Sequence, residues 1–535
     1  MLLSASAIYA APPTYTWGHG YGDEDTQTLS SVATDPAGNI LICGGFYSTI
    51  TIKTTLTSAG NGDAFIAKLD PNGNALWNRR MGTITSNDVA SDVTSDENGN
   101  VIAVGGMNPT VTTGLKATIV KYDAAGAQLW VKSYGAMATS NEALGVTTDL
   151  AGNIIVAGSF QGFVDFGGDT LYPPSPHFDG LFLAKFDSNG NHTWSKAFAW
   201  DYANTALGGL AADAMGNVFL YGQFATSIDL GGGVLTSSGL TDLFLAKFAG
   251  DGRAIWSSRY GSAAGETSAC LAVTTDGRAA IGTSLYSAVD FGGGALVPTG
   301  NPEPAVALFN PSGSHLWSKT FTSTTYGFAT GLSFADNNDL LLTCTGQGTI
   351  NFGGGPVAAT GINYNVFVSR LLSGNGGHRW SFAFAGDDNV TGTVTAGRNA
   401  VIVAGSMDGA ANPGGGALPW IGGSDIFVAK YGETLTGVSA PPPMIATLGQ
   451  NVPNPFNPTT SIPYTLERGA NVVIGIYDAS GTRVAQLSEG LRSPGAHSAM
   501  WSGRDASGGA VASGVYFYRL EGAGDISARK MILLK

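Results

Sequence analysis

A twelve-residue phrase, DPAGNILICGGF from Asp35, returns as DENGNVIAVGGM from Asp96, DLAGNIIVAGSF from Asp149 and DAMGNVFLYGQF from Asp213. Tryptophan keeps the same beat at Trp17, Trp77, Trp130, Trp194, Trp256, Trp317 and Trp380, at intervals of 53 to 64 residues. A repeated unit of that size cannot bury its apolar face alone and must stack on its neighbours. Each unit reads as four short strands. In residues 29–81 they are SSVATD, NILICGG, DAFIAKLD and ALWNRRM, joined through PAG and PNGN, whose Asp/Asn and Gly suit hairpin turns. The third strand recurs as ATIVKYD, LFLAKFD, LFLAKFA and DIFVAKY, an alternation that fits a strand with one well-buried face. Four antiparallel strands per unit, with no helical period, predict the blades of a β-propeller.

Seven first strands are expected, ending at Asp35, Asp96, Asp149, Asp213, Asp276, Asp336 and near Gly397, and seven third strands, the last at 425–431. No Trp-bearing fourth strand follows the seventh. TYTWGHGYG at the N-terminus has that pattern, so it is expected to complete the last blade and leave no open edge. Blades five and six depart from the pattern: Leu308 stands where Lys is expected, and one extra residue precedes Trp380. The D-x-x-G-N hairpins, the D-x-F-x-A-K-x-D strand and the Trp strand resemble the bacterial β-propeller repeat family of secreted and surface proteins, over about residues 13–432. That resemblance implies a fold and no particular activity.

Charge narrows the partners. Residues 1–444 hold 18 Lys and Arg against 33 Asp and Glu, and residues 445–535 hold 8 against 6. An acidic body disfavours nucleic acid and anionic membrane, and suits cations or a solvated secreted surface. Aromatics at 10% argue against disorder. The cysteines Cys43, Cys270 and Cys344 sit in apolar runs and read as small buried hydrophobes, with no disulfide framework. No apolar run is long enough to span a membrane as a helix. Residues 1–12 are apolar and rich in small residues, with Ala5 and Ala7 in an A-x-A, as in the remnant of a signal peptide or a disordered start.

After Tyr431 the text changes. A Pro-containing linker, 433–447, leads to short alternating strands at 461–466, 472–477, 483–487, 496–501, 514–520 and 526–534, which fit a small Ig-like β-sandwich over 448–535. Its phrases are Pro453-Asn454-Pro455-Phe456, IYDASG at 476–481, SGVYFYRL with Gly514 and Tyr516, and an ending with Lys530 and Lys535. Together they resemble the C-terminal sorting domain of the type IX secretion system, in its Ig-like, flagellar-hook-capping-related variant. The resemblance implies a secretion translocon as partner, and a secreted or cell-surface location on a Gram-negative bacterium.

Chemistry is sparse. His192, His315 and His378 each lie two residues before a blade Trp, positions splayed too far apart to share a metal. HExxH, CxxC and GxSxG do not occur. The phrases DFGGD at 165, DLGGG at 229, DFGGG at 290 and NFGGG at 351 are followed by more strand, so decorative hairpins are expected there instead of a phosphate cradle. Lys68, Lys121, Lys185, Lys247 and Lys430 repeat at one blade position, and pairing with Asp63, Asp242 and Asp425, five residues before three of them, is expected.

The loops entering the inner strands carry Asp25, Asp88, Glu142, Asp201, Glu266 and Asp388. In a propeller these loops gather at the mouth, where convergent acids would hold Ca²⁺ or a cationic or hydroxylated ligand; no other cofactor is expected. The expected function is non-enzymatic binding or adhesion by a monomer, with a glycan or surface protein as ligand. Two alternatives stay open: an extracellular polysaccharide-active enzyme, which needs two carboxylates about 5–10 Å apart, and a structural surface-layer component.

Overall fold

The computed structural model describes the chain except residues 1–10, 85–86, 108–114, 136–139, 175–178, 201–205, 362, 434–445, 467–469, 479–482, 494, 506–507 and 522–527. Every regular element among the described residues is a β-strand. The chain divides into two compact units, one of Met1–Asp213 and Val218–Thr434, the other of Leu435–Lys535 with Ala214–Asn217.

The first unit is a β-propeller. Among its described residues lie seven four-stranded antiparallel sheets, numbered here in chain order. Sheet 1 is Gln27–Thr34, Ile40–Thr51, Thr55–Leu69 and Ala75–Met81, and sheets 2 to 6 repeat that order. Sheet 7 is Val390–Gly397, Ala400–Met407 and Asp425–Gly432, with Thr14–Tyr21 as its fourth strand. The first strand of each sheet packs on the first strand of the next, and Val390–Gly397 returns to Gln27–Thr34. The ring is therefore closed by pairing the start of the chain with its seventh repeat.

The residue pattern follows from radial position. Second and third strands are sandwiched between neighbouring sheets, so VIAVGG at 101–106 and ATIVKY at 117–122 are buried throughout. Fourth strands form the rim and alternate, leaving Leu76, Leu129, Ile255 and Leu316 exposed beside their tryptophans. First strands line the axis and are half-buried.

The repeated phrase is a turn with a built-in cap. Asp35 Oδ1 accepts the N–H groups of Ala37 and Asn39, the Asn39 amide donates to Asp35 Oδ2, and Gly38 takes φ +83°, which a side chain disfavours. Asp96 and Asp149 repeat these bonds. In sheets 5 and 6 the equivalent turn position belongs to Thr274 and Ala335, and not to Asp276 and Asp336 as the spacing suggested.

The tryptophan beat has an inter-sheet cause. Each ring lies on the glycine of the next sheet's outer turn: Trp77 on Gly126, Trp194 on Gly252, Trp256 on Gly313, Trp317 on Gly376 and Trp17 on Gly73. The indole N–H donates to a carbonyl of the same turn, Ala124 for Trp77 and Ser373 for Trp317. Trp380 has no such turn to meet, because the third and fourth strands of sheet 7 are opposite ends of the unit.

The lysines do not pair as the spacing suggested. Lys68 binds Asp35 at 2.8 Å, Lys121 binds Asp96 at 2.9 Å, Lys185 binds Asp149 at 2.9 Å and Lys247 binds Asp213 at 3.2 Å, all buried. Each ammonium also donates to the next sheet, Lys68 to Gly99 O at 3.1 Å and Lys185 to Gly250 O at 3.1 Å. Asp63 and Asp242 pair instead with Arg80 and Arg259. Sheet 5 has lost both members of its pair together, with Thr274 in place of the aspartate and Leu308 in place of the lysine. In sheet 6 Arg370 takes the cation's place and reaches Asp339 and Glu433.

The second unit is a two-sheet sandwich. Ala446–Leu448, Thr460–Leu466 and Gly495–Trp501 form one sheet; Arg483–Arg492, Ala470–Asp478, Gly514–Glu521 and Ala528–Leu533 form the other. Its first strand begins inside the stretch expected to be linker. Phe456, Ile474, Trp501, Tyr518 and Met531 fill the core.

Candidate functional site

Two places on the first unit gather chemistry: the loops that enter the inner strands, and the axis they surround.

Of the six loop acids, Asp88, Glu266 and Asp388 hydrogen-bond within their own inter-sheet junctions. The residue entering an inner strand donates its N–H to a carbonyl of the preceding sheet: Asp88 to Gly62 O, Asn141 to Leu115 O, Glu266 to Thr241 O and Gln27 to Ser424 O. Asp88 is buried and accepts Thr83 N–H at 3.0 Å. Glu266 is buried and accepts the N–H and hydroxyl of Ser262; burial pushes its carboxyl up, against those hydrogen bonds. Burial likewise raises half-buried Glu142. Asp388 accepts Asn363 Nδ2 and Asn389 N–H. Asp25 is exposed, its N–H given to Asp23 Oδ1 at 2.9 Å. Asp201 lies outside the described residues. No group of three His, Cys, Asp or Glu side chains placed to hold a metal occurs among the described residues.

The histidines have a local task. His192, His315 and His378 lie over Gly168, Gly293 and Gly354 of the glycine-rich phrases, and Nε2 bonds Ser195, Ser318 and Ser381 at 3.0, 3.0 and 2.9 Å. Those phrases form the expected small hairpins, as in Ser227–Asp229 with Val234–Thr236.

The axis is a cavity of about 620 Å³ to which the inner strands of all seven sheets contribute. Its wall has two characters. Most of its hydroxyl residues come from sheets 1, 2, 6 and 7, among them Ser31, Ser91, Thr330 and Thr393, with Thr147 from sheet 3, and most of its leucines come from sheets 3 to 5, Leu144, Leu207, Leu210 and Leu271. In six sheets a bulge interrupts the pairing of the inner strand, as at Ala90/Asp92 and Leu207/Gly209.

One carboxylate stands in this wall, and sequence reasoning passed over it. Asp92 accepts Ser31 Oγ at 2.7 Å from sheet 1, Val93 N–H at 2.9 Å from its own strand, and Val146 N–H at 2.8 Å from sheet 3. Burial pushes its carboxyl up, and the three hydrogen bonds oppose that shift. The signal was a position: Asp92 follows the bulge where the other sheets carry Ser31, Gly145, Gly209, Cys270 and Gly331.

In the second unit the quoted phrases meet in space. Phe456 N–H donates to Ile532 O at 2.9 Å, Leu534 N–H donates to Phe456 O at 2.9 Å, and Asn454 Oδ1 accepts Ile532 N–H at 2.9 Å. Phe456 packs on Trp501, which packs edge-on against Tyr516. The Lys530 carbonyl accepts Gln450 Nε2, and Lys535 N–H reaches Ser513. Pro453 O accepts the Thr460 hydroxyl, Pro455 precedes Phe456 in the same segment, and Gly514 starts the strand paired with the last one.

Residues 456–525 match the FlgD Ig-like domain. The propeller has remoter likenesses. An uncharacterized WD repeat-containing protein of Acanthamoeba polyphaga mimivirus is 28% identical over 159 residues, covering 24% of this chain and 11% of that protein. This chain thus spans about a ninth of its relative's length. Among solved structures, the quinohemoprotein alcohol dehydrogenase of Comamonas testosteroni is 12% identical, with a TM-score of 0.39 over 82% of this chain and 79% of that one. The β-propeller domain of the Trilobed protease from Pyrococcus furiosus is 7% identical, with a TM-score of 0.39 over 72% and 91%. At these values the likenesses carry no functional argument.

Proposed function

We propose that this chain is an extracytoplasmic binding protein. In this reading a seven-bladed propeller is the recognition unit and the FlgD Ig-like domain serves as its sorting signal, handed to a secretion translocon for release or surface attachment. One observation carries the recognition half: an axial cavity of about 620 Å³ with a hydroxyl-bearing arc, a small aliphatic arc and the single carboxylate Asp92. A sugar ring offers the matching duality, hydroxyl edges and apolar C–H faces, and the volume lies in the usual range for small-ligand sites, about 300–1,000 Å³. The ligand class is therefore a glycan, bound without chemical change; fold by itself does not choose among functions.

Glycan-array and calorimetric binding by the full chain tests the reading. Ser30→Trp and Ser91→Trp, at bulge positions of the cavity wall, are expected to lower affinity at least tenfold while melting stays unchanged. Binding that survives both substitutions, or no binding to any glycan, would sink it.

Export is tested separately. Fusing residues 445–535, behind a signal peptide, to an inert reporter is expected to carry the reporter to the surface or medium of a host with the type IX system. A reporter retained in the periplasm would make the domain an ordinary accessory module.

A further inference from the structure

The glycine-rich hairpins have a second task at the junctions between neighbouring sheets. The phrase DFGGD sets Phe166 of sheet 3 against Tyr134 on the fourth strand of sheet 2, ring centroids 4.9 Å apart. DFGGG sets Phe291 of sheet 5 against Tyr260 of sheet 4 at 5.5 Å, and NFGGG sets Phe352 of sheet 6 against Phe321 of sheet 5 at 5.2 Å. All three phenylalanines are buried, and in sheet 4 buried Leu230 fills the place. Protein interiors pack as closely as organic crystals, so such junctions are normally filled.

Sheet 7 repeats the phrase as NPGGG from Asn412. The turn itself is unchanged. Asn412 Oδ1 accepts the N–H groups of Gly414 and Gly416 at 3.0 and 3.1 Å, as Asn351 Oδ1 accepts those of Gly353 and Gly355 at 2.9 and 3.2 Å. Pro413 therefore stands where Phe352 stands, with a much smaller side chain. The facing strand of sheet 6 differs as well. Two residues after their tryptophans, Arg79 and Lys132 donate to the glycine carbonyl of the next sheet's outer turn, Gly126 or Gly190. Sheet 7 has no such turn, and Phe382 takes the cation's position after Trp380.

Phe382 packs on Tyr431 at 4.7 Å, and Tyr431 stands edge-on to Tyr15 at 6.0 Å. A cavity of about 440 Å³ remains, lined by Tyr15, Phe382, Phe384, Pro413 and Tyr431. Among the described residues its lining holds no carboxylate, ammonium, guanidinium or imidazole. Its polar groups are largely spent on the fold: the Tyr431 hydroxyl donates to Pro413 O at 2.8 Å, and Asn412 Oδ1 caps the turn. The wall thus offers ring faces and a proline, and little that would match the hydroxyls of a sugar.

We propose that this cavity binds an uncharged aromatic ring from outside, seated at the junction of sheets 6 and 7 as Phe166, Phe291 and Phe352 are seated at theirs. The space suffices, since an apolar cavity of about 150 Å³ holds benzene. The surrounding rings supply the offset and edge-on contacts that aromatic pairs prefer. Such a ring comes either from a free phenolic compound or from a tyrosine or phenylalanine side chain of another polypeptide. The site is separate from the axial cavity and does not depend on what the axis binds.

The test titrates the full chain by calorimetry with phenol, with N-acetyltyrosinamide and with cyclohexanol, a non-aromatic match to phenol in size. Saturable binding of phenol and none of cyclohexanol is expected. Binding of N-acetyltyrosinamide as well assigns the ring to a partner polypeptide, and binding of phenol alone assigns it to a free compound. Pro413→Phe supplies the missing side chain and is expected to raise the melting temperature and abolish phenol binding. Phe382→Lys installs the residue that Lys132 is in sheet 2, where its ammonium lies over the Trp130 ring. That variant is expected to melt cooperatively and to bind phenol at least tenfold more weakly. No binding of either aromatic probe, equal binding of cyclohexanol, or phenol binding that survives either substitution in a folded variant would overturn the site.

Discussion

Deleting residues 1–22 is expected to leave the first unit insoluble or without a cooperative transition, whereas deleting residues 1–11 is expected to leave its melting temperature unchanged. Thr14–Tyr21 pairs with Asp425–Gly432 along its whole length. Without it, Asp425–Gly432 becomes an unprotected edge, ready to pair with another chain. Packing is lost as well: Tyr15 stands edge-on to Tyr431, and Trp17 lies on Gly73 with its indole N–H given to Pro71 O. Removing a large aromatic from a core costs about 3–5 kcal/mol, and domains are stable by about 5–15 kcal/mol. Tyr15, Trp17 and Tyr21 are half-buried, so each contributes less than a fully buried aromatic, and the exposed edge adds to their combined loss. Thermal denaturation of the two truncations checks the point; equal melting temperatures would refute ring closure by this strand.

The second large effect is expected at the buried Asp35–Lys68 pair. Lys68→Leu alone leaves the Asp35 carboxylate buried without its cation, and breaking a buried pair from one side costs about 3–5 kcal/mol. The protein contains its own rescue. In sheet 5 Thr274 and Leu308 occupy these positions, and the Thr274 hydroxyl accepts Arg278 N–H at 2.9 Å, capping the turn as Asp35 caps Asn39. Asp35→Thr with Lys68→Leu is therefore expected to recover at least half of the single-variant loss, as read from a double-mutant cycle in urea. Additive losses would show that the pair is not the unit. Burial alone would raise the Asp35 carboxyl, but the Lys68 and Asn39 hydrogen bonds and the Lys68 charge outweigh it and hold Asp35 below the usual range. Asp96 is held low in the same way. A carboxyl lowered in the folded state contributes stability at neutral pH that is lost as pH falls through its folded value. The parent protein is thus expected to lose stability below about pH 4, with a smaller loss in the double variant.

How much could be read from the chain depends on whether the cause lies within one repeat or between two. Strand order, the capped turns and the N-terminal strand as partner of the seventh repeat were legible, because Asp/Asn-Gly turns and alternating apolar residues act over a few positions. The partner of Lys68 was not. Asp63 is five residues away, but an odd offset along a strand points the two side chains to opposite faces, and the ammonium finds Asp35 across the hairpin. The tryptophan beat was visible as a period, yet its cause is a glycine of the next sheet, such as Gly126 under Trp77, which no repeat contains by itself.

The loop acids were chosen for residue type and loop position, and the structure spends Asp88, Glu266 and Asp388 on holding their own junctions. Two features had to wait for the tertiary structure. Asp92 links the neighbouring inner strands of sheets 1, 2 and 3. Asp425 has no arginine on its carboxylate, because Gly20, at the other end of the unit, holds the place that Arg80 takes beside Asp63. Local sequence determined the strands and turns, whose forces reach a few residues. Tertiary packing decided the rest: pairing across the hairpin brings Lys68 to Asp35, and ring closure joins groups some 400 residues apart in the chain, as in the Gln27–Ser424 bond.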